Sequence, residues 1–150
     1  MKKEITEKEL YLKLAAYCAK AERCVSDLEQ KMNNYNVSFE VSNRVLELLK
    51  KENYLSESRY ASAVASDKFR FNGWGKKKIQ QFLYHKGINS NLIDKSLSEI
   101  DDDEYLNKLT NLILQKRKSV KAQDDYELKN KLIRFALSRG FEMDLILRII

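Results

Sequence analysis

A chain of 150 residues suffices for one ordinary domain or several very small ones, and 43% hydrophobic with 10% aromatic content is enough apolar material to fold, which excludes a disordered tail. No proline, only four glycines and 33% charged residues favour an all-helical protein. No window approaches the roughly 20 apolar residues that a membrane span requires, so the chain reads as soluble and cytoplasmic.

Placement of the net charge of +6 is more informative than its size. From Lys68 to Ile93 there is no Asp or Glu, while Lys68, Arg70, Lys76, Lys77, Lys78 and Lys86 are all cationic. That one segment carries the whole excess, which implies an anionic partner, either nucleic acid or an acidic protein surface.

The first expected helix is marked by Leu10, Leu14 and Tyr17 and opens on the capping-box spacing of Thr6 and Glu9. Cys18 and Cys24 stand in one helical region without zinc-site spacing or a nearby histidine, and read as buried thiols. Leu28, Met32, Asn36 and Val37 follow, and then a stripe of Val37, Val41 and Leu46. In the middle of the chain Ser56 precedes a helix marked by Ala61, Val64, Ala65 and Phe71, and Gly73 and Gly75 form a tight turn before the next helix. That helix repeats the earlier spacing as Ile79, Leu83, Gly87 and Ile88, and a short stripe of Ile88, Leu92 and Leu97 comes after it. The acidic run Asp101 to Glu104 suits another helix start. Leu106, Leu109 and Ile113 mark that helix, Leu132, Ala136, Gly140 and Phe141 repeat the spacing a third time, and Phe141, Leu145 and Ile150 close the chain.

Asn36, Gly87 and Gly140 occupy the same place in each repeat and are residues that tolerate the left-handed conformation ending a helix. The expected fold is therefore all-α, with three tandem three-helix repeats over residues 1–53, 54–100 and 101–150 in an elongated, curved array.

The stretch "FNGWGKKKIQQFLYH" concentrates the unusual residues. Trp74 reads as a lid over the helix junction. Phe69 and Phe71 are too close in sequence to share a helix face, so either the helix is covered on two sides or one ring is exposed for a partner. Cations at a helix N-terminus are mildly unfavourable, so Lys76, Lys77 and Lys78, with no acid in reach, point to a ligand. Lys77, Gln80 and Tyr84 share a side, a basic face with an aromatic suited to phosphates or acidic loops. The phosphate-loop pattern is absent, and His85, the sole histidine, lacks a nucleophile motif and reads as a surface residue. No catalytic constellation, cofactor motif or metal-ligand set is found.

The run "YLSESRYASAVASDKFRFNGWGKKKIQQFLYHKGI", Tyr54 to Ile88, resembles the RecX family of bacterial regulators of the recombinase RecA. Leu55, Glu57, Arg59, Tyr60, Ala61, Arg70, Gly75, Ile79, Leu83, Lys86, Gly87 and Ile88 occupy that family's middle-repeat positions, and Arg23, Leu28, Lys31 and Met32 match its first repeat. Phe82 stands where the family has glutamate, Cys24 where it has a capping serine, and Asp27 where it has a longer acid. The resemblance implies tandem three-helix repeats and a non-enzymatic protein. It also implies binding to the RecA–single-stranded DNA filament, restraining ATP hydrolysis, strand exchange and stimulated repressor cleavage. The expected partner-binding residues are Arg70, Trp74, Lys76, Lys77 and Lys78, with Lys86 and Arg139 as supporting cations, in a monomer that needs no cofactor and no membrane.

A direct DNA-binding protein is the alternative, since each unit ends in a helix–turn–helix pair and the pI is about 9.2. Its contacts would be to phosphates of single- or double-stranded DNA, because the second helices, such as "NSNLIDKSLSEI", are short and poor in arginine, unlike base-reading helices.

Overall fold

The computed structural model describes all residues, 1–150. Nine helices follow in chain order: α1 (Glu7–Lys20), α2 (Val25–Met32), α3 (Phe39–Lys51), α4 (Glu57–Arg70), α5 (Lys76–His85), α6 (Ser90–Ser98), α7 (Asp102–Ser119), α8 (Asp125–Ser138) and α9 (Met143–Ile149). They form three tandem three-helix units. The helix starts legible in the sequence are present. Thr6 and Glu9 exchange side-chain-to-backbone hydrogen bonds, while Ser56 accepts from the Arg59 N–H and Asp101 from the Glu104 N–H.

The chain exposes 9754 Å², against the roughly 7,900 Å² of a compact monomer of 17.7 kDa. The units therefore lie in an extended row. Their cores divide unevenly. Leu10, Leu14, Leu28, Val45 and Leu49 build a core inside the first unit, whereas the other two share one continuous core. At the junction of that shared core Tyr105 packs between Phe69, with ring centroids 5.7 Å apart, and Phe141, at 5.1 Å.

The first unit meets this larger body through a polar joint with one residue exchanged in each direction. Cys24 is buried in the shared core, and Leu55 in the core of the first unit. Around them the Val25 N–H donates to Glu57 at 3.1 Å, Ser26 Oγ donates to the Lys86 carbonyl at 2.9 Å, and Arg59 pairs with Glu22 at 2.9 Å.

Several local expectations need correction. The cysteines are buried and free, but they are not in one helix: α1 ends at Lys20 and Cys24 begins α2, so the thiols lie in different cores. Gly87 and Gly140 have φ of 83° and 94°, as their place in the repeat predicts, but Asn36 does not. There the chain pairs with the N-terminal segment instead, the Asn36 N–H donating to the Lys3 carbonyl and the Lys3 N–H to that of Asn34. Phe71 does not belong to the buried stripe of α4. Phe69 is 3% exposed and Phe71 82%, because α4 stops at Arg70 and the chain turns away.

The seam between the second and third units is a close backbone contact. The Gly75 N–H donates to the Arg139 carbonyl at 2.7 Å and the Lys77 N–H to the Gly140 carbonyl at 3.0 Å. A Cβ on Gly75 would collide with the Gly140 carbonyl, and one on Gly140 with the backbone of Lys78, whereas a Cβ on Gly87 would meet open space. Gly87 and Gly140 both have positive φ, so alanine at either costs about 1–2 kcal/mol in backbone strain. Gly140→Ala adds an overpacking cost of about 1–3 kcal/mol. Urea denaturation of the two variants should place the Gly140→Ala midpoint clearly below that of Gly87→Ala; equal midpoints would contradict a tight seam.

Candidate functional site

The turn 71–75 and the start of α5 bring together most of the residues marked in the sequence. Trp74 is half-buried on Phe82, edge to face with centroids 5.9 Å apart. Lys68 Nζ lies 4.9 Å from the Trp74 centroid and 5.1 Å from that of Phe82, and Lys78 Nζ lies 4.7 Å from that of Trp74. Trp74 is thus the lid the sequence suggested, and it also holds two cations against aromatic faces. Phe82 supplies a ring for Lys68 where the family pattern has an acid.

Lys76 is half-buried with its Nζ 4.9 Å from the Tyr105 centroid, while Lys77 is exposed. Gln80 and Tyr84 are exposed beyond Lys77, Tyr84 at 71%, so the basic face with an aromatic is present. His85 is exposed and meets Tyr84 edge to face, with centroids 5.8 Å apart. Arg70 is exposed, with Glu104 3.9 Å away, too long for a firm ion pair.

The helix start differs from expectation. The Lys76 N–H donates to Tyr105 Oη at 2.9 Å, and the Tyr105 hydroxyl donates to the carboxylate of Glu142, the residue preceding α9. Together with the bonds from Gly75 and Lys77, this occupies three of the four backbone donors at the helix start, leaving only that of Lys78 without an acceptor. The next unit therefore delivers an acid to this helix start, where Glu142 lines one recess with Lys76 and offsets its unfavourable charge. Burial first, and the hydrogen bond to Glu142 second, push the Tyr105 hydroxyl far above its ordinary value, so it stays protonated as a donor.

The two supporting cations lie at the flanks. Arg139 donates to the Asn72 carbonyl at 3.0 Å, with its guanidinium 5.2 Å from the Phe135 centroid, so it pins the turn from the third unit. Lys86 Nζ donates to Asp27 at 2.7 Å across the joint with the first unit. Asp27 also accepts the Cys24 N–H at 3.2 Å, so the shorter acid still closes the start of α2.

Sequence reasoning missed a second cationic region. From Tyr105 to Gln123 there is again no Asp or Glu, while Lys108, Lys116, Arg117, Lys118 and Lys121 are positive. The signal was the same as in the middle unit, but acids elsewhere in the third unit cancelled it in the net charge. In space Lys108 Nζ donates to the Arg70 carbonyl at 3.0 Å and Lys116 Nζ lies 5.1 Å from the Phe135 centroid, so these side chains continue the surface around the turn.

No group of three or more His, Cys, Asp or Glu residues could hold a metal ion, and no helix is long and apolar enough to cross a membrane.

Fold and surface define an all-α protein of tandem three-helix repeats with a cationic surface gathered at a unit junction. Residues 56–97 match the model of the RecX second three-helix domain, and residues 102–150 that of the third. The chain belongs to the RecX family of regulatory proteins. It is 27% identical to the regulatory protein RecX of Clostridioides difficile (strain 630), over 99% of this chain and 71% of that protein. It is 33% identical to that of Clostridium botulinum (strain Eklund 17B / Type B), over 85% of this chain and only 58% of that protein. The crystal structure of RecX from Lactobacillus salivarius superposes with a TM-score of 0.84, at 21% identity, over 95% of this chain and 93% of that one. A second RecX crystal structure superposes with a TM-score of 0.87 at 20% identity, over 95% of this chain and 70% of that one.

The Lys86–Asp27 pair has a pH signature. Burial alone would raise the Asp27 carboxyl, but the hydrogen bonds from Lys86 and from the Cys24 backbone outweigh it and hold the group below 3.8. Because the folded value is the lower one, its contribution to stability is fully present above about 3.8 and disappears as pH falls through the lowered folded value. Unfolding free energies of the wild type and Asp27→Asn should differ by a constant amount near neutrality and converge in acid. A gap that persists unchanged at the acid end would show that the carboxylate is not the source.

Proposed function

We propose that the protein regulates the RecA recombinase by binding its filament on single-stranded DNA, without catalysing a reaction itself. The observation that carries this reading is the family's middle-repeat pattern lying on the most cationic part of the chain, in an extended row of helical units. An extended body can follow a filament over several subunits, and a surface in which cations outnumber acids is drawn to DNA phosphate and acidic loops alike. Bound there, a monomer would restrain ATP hydrolysis, strand exchange and stimulated repressor cleavage together, since all three depend on the assembled filament.

Arg70 and Lys77 are the cations offered most freely to the partner. Trp74, Lys76 and Lys78 shape the same surface while remaining engaged with aromatic rings, and Lys86 and Arg139 support it by holding the flanking units in place. The sole histidine meets Tyr84 edge to face at the surface and is part of no nucleophile arrangement.

The ATPase rate of the cognate recombinase on single-stranded DNA, titrated with the protein, tests the proposal. Inhibition well below one protein per recombinase is expected. Inhibition only when the protein saturates the DNA would instead indicate competition for phosphate, and direct DNA binding would replace the filament reading. Lys77→Glu should raise the half-inhibitory concentration several-fold, the scale of about 1 kcal/mol for one exposed ion pair made repulsive, with helical circular dichroism intact. Lys77 is the cleaner site than Lys76 or Lys78, whose reversal would also remove a cation from a ring. An unchanged inhibition curve would take Lys77 out of the mechanism.

A further inference from the structure

Phe71 is unexplained by packing. It is the C-cap residue of α4 and 82% exposed, yet the turn that carries it is fixed on both sides. Lys108 from α7 donates to the carbonyl of Arg70, the residue before it, and Arg139, which follows α8, donates to the carbonyl of Asn72, the residue after it. Gly73, at φ 66°, bends the chain away within van der Waals reach of Leu112 and Arg139, so the ring is presented by a backbone with little freedom left to lose.

Cations predominate about the turn. Arg70, Lys108 and Arg139 border the turn itself, and Lys116 shares the Phe135 ring with Arg139, at 5.1 and 5.2 Å from its centroid. Glu104, near Arg70, and Asp67, one turn earlier in α4, bound this field on one side. An exposed aromatic on a fixed turn whose flanking carbonyls are held by two cations has the composition of a stacking platform for an unpaired base, with cations at hand for its phosphates. A bare apolar anchor for a protein pocket would not call for the cations, because charged residues are depleted at the centre of protein interfaces.

We infer that Phe71 stacks on an unpaired nucleobase and that Lys108, Lys116 and Arg139 hold the adjoining phosphates, making the junction of the second and third units a single-stranded DNA contact. The inference deepens the proposed function by naming the filament component that this surface meets. Its primary readout is binding to bare oligonucleotide without recombinase, so its failure and the failure of filament regulation are separate results.

The probe is a fluorescein-labelled oligothymidylate of about 20 nucleotides, bound to the full chain and followed by anisotropy between about 50 and 200 mM salt. Phe71→Ala should weaken binding about tenfold while leaving the salt slope unchanged, since a stacked ring displaces no counterion. Phe71→Trp should bind like the wild type. Lys116→Gln should reduce the salt slope by about one. Phe39→Ala, which removes an equally bare ring from the first unit, should change nothing. The inference is overturned if the wild type does not bind the oligonucleotide at the lowest salt, if Phe71→Ala binds as tightly as the wild type, or if Phe39→Ala weakens binding as much. It is likewise overturned if Phe71→Ala loses affinity for the recombinase filament alone, which would assign the ring to a protein pocket.

Discussion

The structure of the second and third units depends on how the N-terminus of α5 is closed. A helix start leaves N–H groups without intrahelical partners, and here the neighbouring unit supplies the acceptors: the Arg139 and Gly140 carbonyls and the Tyr105 hydroxyl. The contact is possible only because Gly75 and Gly140 carry no side chains where the two backbones meet. It sits beside the Phe69–Tyr105–Phe141 ring cluster, so polar closure and apolar burial act at the same seam. Two units that would each bury little alone become one body with one core.

That closure decides how the positive charge is used. Three lysines at a helix start would normally read as an anion site. With three of the backbone donors occupied and Glu142 brought to the same end, two of the three ammonium groups are instead laid on aromatic faces, Lys76 on Tyr105 and Lys78 on Trp74, which Lys68 of α4 also meets, and only Lys77 stays free. Long side chains laid against rings keep their charge at the surface while their stems cover apolar area. The ammonium groups of Lys68, Lys76 and Lys78 are therefore held by rings and not by ion pairs, although Glu142 and Glu104 lie at the margins of the field. Arg70, Lys77, Lys108 and Lys116 extend it along the junction.

Much of the architecture was legible in the sequence because it rests on local rules. The recurring spacing of Leu28, Ile79 and Leu132 with their partners located the second helix of each unit, and capping residues such as Thr6, Ser56 and Asp101 marked helix starts. What was not legible depends on contacts between distant segments. Asn36 has the residue type of a helix end, but Lys3 pairs with that stretch and sets its conformation. Phe71 continues the apolar spacing of α4, and only the end of the helix one residue earlier turns it outward. Lys86 and Arg139 read as supporting cations for a partner, and the structure engages one with Asp27 and the other with the Asn72 carbonyl. Gly75 was read as a turn residue, whereas its φ of −78° is open to any residue and the close approach of Gly140 is what requires it.

Hydrogen exchange at the amides of Gly75, Lys76 and Lys77 tests the closure of α5 most directly. These groups precede or begin a helix and would exchange rapidly if they faced water. The account predicts protection comparable to the Leu83 amide inside α5, lost together with that of the Leu109 and Leu132 amides in one opening of the shared core. Rapid exchange at the three amides, with Leu83 still protected, would mean that the helix end is open to solvent and free to take an anion, and the central contact described here would be wrong.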